Sequence, residues 1–280
     1  NSNTVIGRNA LFTNISGQHN VAIGQQTLNY STSSYNTAVG SQASYRNTTG
    51  AYNTAVGYQA IYNSTTGAYN TAVGYQASYN NTTGLLNSSF GNLALKLNTT
   101  GSDITAIGRA ALYNNTTGSD NTAIGYHSGF NLTTGSNNIF LGHTANPSIN
   151  SVSNQITLGN SAIASLRCNV QTISSLSDLR DKKEIKNLKN AESVIKELRP
   201  VSFTWNQRDG GRVGSKDTGF IAQELLEAQV KAEHEIPNLV LENNQDKLEA
   251  AYAAMLPSMV SALQSALIKI EQLEQKINNK

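Results

Sequence analysis

The strongest constraint in this chain is a set of ten evenly spaced glycines, here called the ruler glycines, within the first 159 residues. Successive ruler glycines lie seventeen residues apart at every step but one, where the step is sixteen. Such a fixed short spacing indicates a solenoid, in which each repeat, or rung, stacks on its neighbours. The ten are Gly7, Gly24, Gly40, Gly57, Gly74, Gly91, Gly108, Gly125, Gly142 and Gly159.

Each repeat contains two recurring elements. The phrase Asn-Thr-Ala-Val-Gly-Tyr-Gln-Ala stands at residues 53–60 and 70–77, and the looser Asn-Thr-Ala-Ile-Gly stands at 121–125. Ten residues after the ruler glycine comes Thr-Thr-Gly, which ends at Gly50, Gly67, Gly84, Gly101, Gly118 and Gly135. A seventeen-residue repeat is too short for a helical hairpin, which needs roughly 33 residues, and fits one turn of a coiled β-structure. Thr, Val, Ile and Tyr suit strands, while Asn and Gly suit tight turns.

The alternation of side chains along a strand predicts which face is buried. It puts Thr54 and Val56 on one face and Ala55 and Gly57 on the other. We expect about nine rungs over residues 1–145, with the Val or Ile before each ruler glycine buried, as at Val56, Val73 and Ile124. The small Ala/Gly face then turns toward partner chains or a closely packed interior.

The repeated phrase resembles the head repeats of trimeric autotransporter adhesins of the YadA-like type. The resemblance covers residues 1–145 and implies a left-handed parallel β-roll that trimerises. The rung here is longer than the usual adhesin rung, and the extra residues are expected in the Asn-Thr-Thr-Gly loop. A monomeric β-solenoid with the same rungs is the alternative.

The composition changes along the chain. Residues 1–145 carry six charged side chains, whereas residues 177–280 carry fifteen Lys or Arg and sixteen Asp or Glu. The net charge of +2 gives no basic footprint for nucleic acid, so that class of function is excluded. Residues 146–176 join the two parts, and their Ile, Val, Ser and Thr predict an extended β neck. We expect no membrane insertion of residues 1–280. Because the chain opens within a repeat phrase, we expect it to be the C-terminal piece of a longer protein.

No metal site or cofactor is expected. Cys168 is the single cysteine, which excludes an intrachain disulfide and predicts a small buried apolar residue. The four histidines share no spacing typical of metal ligands and are interpreted as ordinary surface or core residues; they are His19, His127, His143 and His234. Asn-x-Ser/Thr triplets recur in the repeat turns, where backbone hydrogen bonding explains them better than glycosylation does. Examples are Asn47, Asn63, Asn81, Asn98 and Asn115.

Three sequence blocks follow the neck in a distinctive order. Ser-Asp-Leu-Arg-Asp-Lys-Lys-Glu-Ile occupies residues 177–185 and precedes a predicted helix at about 190–198, which Pro200 ends. The predicted strand Val-Ser-Phe-Thr-Trp follows at 201–205, and Thr-Gly-Phe-Ile-Ala-Gln-Glu-Leu-Leu at 218–226 predicts the start of a helix. These blocks resemble the C-terminal intramolecular chaperone of endosialidases and other phage tail spikes, a domain that drives trimeric folding and then cuts itself off. The resemblance spans nearly all of residues 177–280.

The resemblance implies a catalytic dyad of Ser177 and Lys182. A serine hydroxyl needs a base, and a lysine serves as one only where desolvation or a cation disfavours its ammonium form. A carboxylate near Lys182 would oppose that role, so Asp178 and Asp181 are expected to orient the loop or to meet basic groups of a neighbouring chain. Lys183 is the competing candidate to exclude. The cut is expected at Ser177, in its bond to Leu176 or to Asp178; the alternative is a solvated turn with Ser177 or Asp178 as an ordinary cap.

The C-terminal segment carries an oligomerisation pattern. Apolar residues step by three and four through residues 256–278, as in a coiled-coil seam. A helix that packs on the core of its own chain is the alternative. The seam residues are Leu256, Met259, Leu263, Ala266, Ile270, Leu273 and Ile277.

The sequence therefore predicts a mixed fold: a trimeric all-β roll, an extended β neck, and an α+β chaperone domain over 177–280 that ends in a coiled-coil helix. The expected function is a homotrimeric phage tail fibre or adhesin-like surface fibre. Its chaperone domain acts once, as a serine peptidase on its own chain, and the fragment is released in the producing cell. A host receptor or glycan is expected to bind the β-roll or a region upstream. The alternative is a surface adhesin with a permanent, uncleaved trimer anchor.

Overall fold

The computed structural model describes residues 2–163, 165–167, 177–188, 190–208 and 210–279. The chain forms two compact units, Asn1–Ile163 and Ala164–Lys280. Cys168 lies outside the described residues, as do positions 164 and 168–176 of the predicted neck.

The N-terminal unit is a parallel β-solenoid of about nine turns, as predicted. Ten three-residue strands pair in chain order and in register, so that Ala55 lies opposite Ala72. The strands are β1 Thr4–Ile6, β2 Val21–Ile23, β3 Thr37–Val39, β4 Thr54–Val56, β5 Thr71–Val73, β6 Ser88–Phe90, β7 Thr105–Ile107, β8 Thr122–Ile124, β9 Ile139–Leu141 and β10 Ile156–Leu158. The rung pattern thus runs on through β10 to the end of this unit.

The ruler glycines from Gly7 to Gly125 are required by the close approach of the next rung. Gly57 has φ +132°, and a Cβ atom at that position would overlap the carbonyl of Gly74. Only glycine accepts both this backbone angle and this contact. The remaining corners of a rung are formed by residues in the left-handed region, for example Tyr52 and Gln59, with φ 60° and 54°.

The prediction that the Val or Ile before the ruler glycine is buried is wrong. In each of the strands β2 to β9 the central side chain is buried inside the coil, and Ala55 is fully buried. Val56 is half-buried on the outer face, and Ile124 is 42% exposed. The interior of the coil is narrow. In a typical rung it holds two alanines, such as Ala55 and Ala60, and one larger residue, such as Ile61. A valine or isoleucine at every strand centre would overfill this space.

One rung shows how the narrow core adapts to a change of size. Gly129 occupies the position that Leu112 holds in the preceding rung, and Phe140 replaces the usual strand alanine in the next rung. Both Leu112 and Phe140 are fully buried, and their side chains reach the space over Gly129. A large residue therefore fills the volume that a missing side chain leaves.

The buried asparagines at the start of each phrase connect neighbouring rungs. Asn53 Nδ2 donates to the Gly67 carbonyl at 2.8 Å, and Asn53 Oδ1 accepts from the backbone N–H of Asn70 at 3.0 Å. A second buried asparagine closes the Thr-Thr-Gly turn, as where Asn81 Nδ2 donates to the Gly84 carbonyl at 2.9 Å. Among the Asn-x-Ser/Thr triplets, Asn47, Asn81, Asn98 and Asn115 are fully buried. Their amides serve the turn, as predicted.

The C-terminal unit is a small α+β assembly. In chain order it contains a 3₁₀ turn Leu179–Asp181, α1 Ala191–Glu197, β11 Val201–Asn206, β12 Val213–Gly219, α2 Ala222–Lys231, β13 Val240–Leu241, β14 Glu249–Ala250, a 3₁₀ turn Tyr252–Met255 and α3 Leu256–Asn278. β11 pairs with β12 and β13 with β14, both antiparallel. The three helices pack around a core of Val194, Leu225, Ile236, Leu239 and Met255. The helix before Pro200, the Val-Ser-Phe-Thr-Trp strand and the helix after Gly219 are confirmed.

α3 leaves most of its apolar side chains exposed. Leu263 is 61% and Ile270 is 51% exposed, although both belong to the predicted seam. The segment Tyr252–Asn278 is also long and apolar enough, by length and composition, to span a membrane, and 11% of its apolar window is buried. Pro257 is accommodated in the first turn of the helix, where its missing N–H costs little.

Candidate active site

The structure brings Ser177 and Lys182 together. Lys182 Nζ donates to Ser177 Oγ at 2.6 Å, across the 3₁₀ turn Leu179–Asp181. Residues five apart do not share a face of an α-helix, and the tight turn brings the two ends of this short segment within reach of each other. Both side chains are exposed in the single chain.

Asp178 fixes the turn that separates the two residues. Its carboxylate accepts from the backbone N–H of Arg180 at 2.8 Å and from Arg180 Nε at 2.9 Å. A hydrogen bond from the Arg180 guanidinium, followed by the backbone one, holds the pKa of Asp178 below its usual range. The carboxylate is thus engaged by Arg180 at the start of the turn.

The arrangement has the components of a nucleophile and base pair. A serine hydroxyl within hydrogen-bond reach of an amine is the geometry that nucleophilic catalysis requires. Leu176, whose bond to Ser177 is one of the two candidate cleavage bonds, lies outside the described residues.

No histidine, cysteine or carboxylate cluster suited to a metal ion occurs among the residues that the structure describes. His127 and His143 pack against the ring of Tyr126, at centroid distances of 4.1 and 5.1 Å. Burial, followed by the charges of Arg109 and His143, lowers the pKa of His127.

Sequence reasoning missed an aromatic cleft in the C-terminal unit. The cleft has a volume of about 1140 Å³, and its walls include Phe203, Trp205, Phe220 and Tyr252. The Tyr252 hydroxyl and the backbone of Phe220 are joined by hydrogen bonds of 3.2 Å. The only sequence signal was the alternation of Phe203 and Trp205 on one face of a strand.

The geometry defines a class of protein: a repetitive β-solenoid with a separate small α+β domain that begins at a Ser–Lys contact. Residues 177–241 match the family Peptidase_S74, described as chaperone of endosialidase. The match begins at Ser177 and contains all three sequence blocks. No curated protein and no solved structure matches the chain. The findings fit an endosialidase-type chaperone after a β-roll region and support a self-cleaving chaperone domain of a tail-fibre-type protein.

Proposed function

We propose that this chain forms a homotrimeric fibre whose C-terminal domain aligns three chains and then releases itself by cleavage at Ser177. The observation that carries the proposal is the 2.6 Å contact of Lys182 Nζ with Ser177 Oγ at the first residue of the family match. A phage tail fibre or a bacterial surface fibre is the expected setting. The need for alignment is kinetic, because near-identical rungs pair out of register at little cost.

In the proposed reaction Lys182, once neutral, takes the proton of the Ser177 hydroxyl, and Oγ attacks the carbonyl carbon of an adjacent peptide bond. The peptide C–N bond breaks, and the leaving amine takes up the proton. Water then hydrolyses the ester. Within one chain, attack on the carbonyl of Leu176 closes a five-membered ring, whereas attack on the carbonyl of Ser177 itself closes a strained four-membered ring. Attack within the chain therefore favours the bond between Leu176 and Ser177.

The exposure of the pair supports coupling of cleavage to assembly. A lysine acts as a base only where desolvation or a nearby cation disfavours the ammonium form, and Lys182 is exposed in the single chain. Burial by neighbouring chains would supply the missing desolvation. Cleavage then follows trimerisation, and removal of the aligning domain leaves a kinetically trapped fibre.

Two exposed apolar surfaces support the association of chains. On the solenoid, the outer face of β7 to β9 presents Ile107, Ile124 and Leu141, which are 37–42% exposed. On α3, the seam residues lie one helical turn apart. Exposed apolar surfaces of this kind are typical of protein–protein contacts.

Self-cleavage is tested on a denaturing gel, with intact masses, of freshly expressed full chain. The wild type is expected to give a fragment of residues 177–280, whereas Ser177→Ala and Lys182→Ala leave the chain intact. Lys183→Ala is the matched control and should cleave normally. Cleavage of Lys182→Ala at the wild-type rate would refute the dyad, and an intact wild-type trimer would favour the permanently anchored adhesin.

A further inference from the structure

One edge of the solenoid, here called the aromatic edge, is built from two columns of side chains. The first column consists of residues that directly follow a ruler glycine in sequence, and it contains Tyr58, Tyr75, Tyr126, Arg8, Arg109 and His143. The second stands five residues after them and contains Tyr45, Tyr62, Tyr79, Lys96, Tyr113 and Phe130. Tyr58 and Tyr75 are 46% and 47% exposed, so the edge faces solvent in the single chain.

Stacking joins these side chains into one surface. Within the columns, Tyr58 stacks on Tyr75 with centroids 5.7 Å apart, and Tyr62 stacks on Tyr79 at 5.1 Å. His127 connects the two columns, because it stacks on Tyr126 of the first column at 4.1 Å and on Phe130 of the second at 4.6 Å. Because neighbouring rings cover each other's faces, a ligand would meet the ring edges, where the tyrosines carry their hydroxyls. The surface therefore offers a line of hydrogen-bonding groups rather than open ring faces.

All four cations of the solenoid lie on or beside this edge. Arg109 lies over the Tyr126 ring at 5.5 Å, and Lys96 lies over the Tyr113 ring at 5.6 Å. Arg8 belongs to the first column, and Arg46 directly follows a tyrosine of the second. Burial raises the pKa of the Tyr79 phenol, and the Arg46 charge opposes that shift, so Arg46 is within electrostatic range of the second column.

The two acids of the solenoid lie on a different edge. Asp103 and Asp120 hold the last position of their rungs, which Tyr52 and Tyr69 occupy in earlier rungs. These tyrosines also stack, with centroids 4.9 Å apart. The cations of the solenoid thus lie on or beside the two columns of the aromatic edge, and the third aromatic column carries its acids. We call the edge with this third column the acidic edge.

The spacing of the cations selects the kind of ligand. They lie one to three rungs apart, which is about 5–15 Å at the usual distance between strands. Duplex DNA carries one negative charge per roughly 1.7 Å, far denser than these cations. A polymer with hydroxyls throughout and a carboxylate at intervals matches both the tyrosine hydroxyls and the sparse cations.

We propose that the aromatic edge binds a linear acidic polysaccharide that lies along the solenoid. Its carboxylates pair with Arg46, Lys96 and Arg109, and its hydroxyls bond to the tyrosine hydroxyls. The proposal deepens the fibre role given above by naming the class of molecule to which the fibre attaches. It requires neither cleavage nor the Ser–Lys pair.

The test uses substitutions that the repeat itself supplies. Arg46→Asn introduces the residue that Asn63 and Asn80 place at the same rung position, and Arg109→Asn introduces the residue of Asn92. The matched control is the double variant Tyr52→Asn and Tyr69→Asn on the acidic edge, where later rungs carry asparagine at this position. Each replacement is already compatible with the fold.

Full-length protein is run in native gels that contain polygalacturonate, alginate, neutral dextran or single-stranded poly(dT). Polygalacturonate or alginate should retard the wild type and the control. The double variant Arg46→Asn/Arg109→Asn should bind about tenfold more weakly, the loss expected for two exposed ion pairs. Denaturing gels of the same samples report self-cleavage separately, so failure of one proposal is distinguishable from failure of the other.

Five outcomes would overturn the proposal. In the first two, neither acidic polysaccharide retards the wild type, or dextran retards it as strongly as the acidic polysaccharides do. The acidic-edge control loses as much binding as the arginine variant. Poly(dT) binds more tightly than either polysaccharide, which would indicate a nucleic-acid surface. The arginine variant changes the oligomeric state in light scattering, which would assign the edge to a second copy of the chain.

Discussion

Asn70 illustrates how single residues specify the stacking of rungs. Its side chain is fully buried, donates to the Gly84 carbonyl at 2.9 Å and accepts from the backbone N–H of Asn87 at 3.0 Å. An amide supplies both a donor and an acceptor, whereas a carboxylate supplies acceptors alone. The phrase therefore begins with asparagine because both neighbouring groups would otherwise be buried without partners.

Asn70→Asp is expected to destabilise the solenoid by about 3 kcal/mol at neutral pH, because a buried carboxylate would face the Gly84 carbonyl. The loss should shrink below about pH 5, since a protonated carboxyl can again donate. Urea unfolding followed by circular dichroism measures both effects. Asn92→Asp, at an exposed position, is the control and should change stability little. An equal loss in both variants would contradict the assigned role of the buried amide.

At the scale of elements, an ion pair connects α2 to the segment before β11. The Arg199 guanidinium donates to both carboxylate oxygens of Glu224, with Nε at 3.0 Å from one of them. This hydrogen bonding lowers the pKa of Glu224. The unfolded chain therefore binds more protons near that pKa than the folded chain does.

The ion pair stabilises the folded unit fully at pH values above the ordinary pKa of glutamate. This stabilisation is lost as the pH falls through the lowered pKa that Glu224 has in the folded chain. We expect the C-terminal unit to become less stable below about pH 4, and Glu224→Gln to flatten part of that dependence. Trp205 is the single tryptophan, so its fluorescence follows this unit. Glu227→Gln, on the exposed side of the same helix, should leave the pH profile unchanged. If the stability of Glu224→Gln depends on pH as that of the wild type does, the ion pair does not contribute to the pH dependence.

The seam of α3 gives a second prediction at this scale. Leu263→Gln and Ile270→Gln should each weaken self-association, because a polar residue would enter the proposed coiled-coil core. Ile268→Gln is the matched control, since Ile268 is 54% exposed but lies off the seam. Light scattering of the full chain gives the oligomeric state. Equal effects of all three variants would instead favour insertion of the helix into a membrane.

For the whole molecule, rungs should behave as interchangeable units. Deletion of residues 53–69 removes one complete rung and joins two equivalent positions, so the shortened solenoid should fold with a modest loss of stability. Deletion of the half rung 53–61 should disrupt the fold, because it would place strand residues opposite turn residues. Circular dichroism and limited proteolysis distinguish the two. Equal tolerance of both deletions would contradict the in-register stacking.

The solenoid, its period and the helices and strand of the C-terminal unit could be predicted from sequence, since glycine spacing and local patterns are one-dimensional signals. The inward face of the strand could not. Alternation separates Ala55 from Val56, but the width of the coil decides which of them fits inside, and that width depends on distant corners. Similarly, the spacing of Ser177 and Lys182 allowed many geometries, and only the turn held by Asp178 brings them into contact.

The in-register pairing of β1 to β10 also determines how the solenoid would respond to a pulling force. Its backbone hydrogen bonds between rungs run along the solenoid axis, so tension along that axis loads them one rung at a time rather than all together. Each rung that opens would release seventeen residues, about 55 Å of extended chain, in exchange for a rise of about 5 Å. A fibre built this way would lengthen in discrete steps under load and absorb mechanical energy before its ends separate.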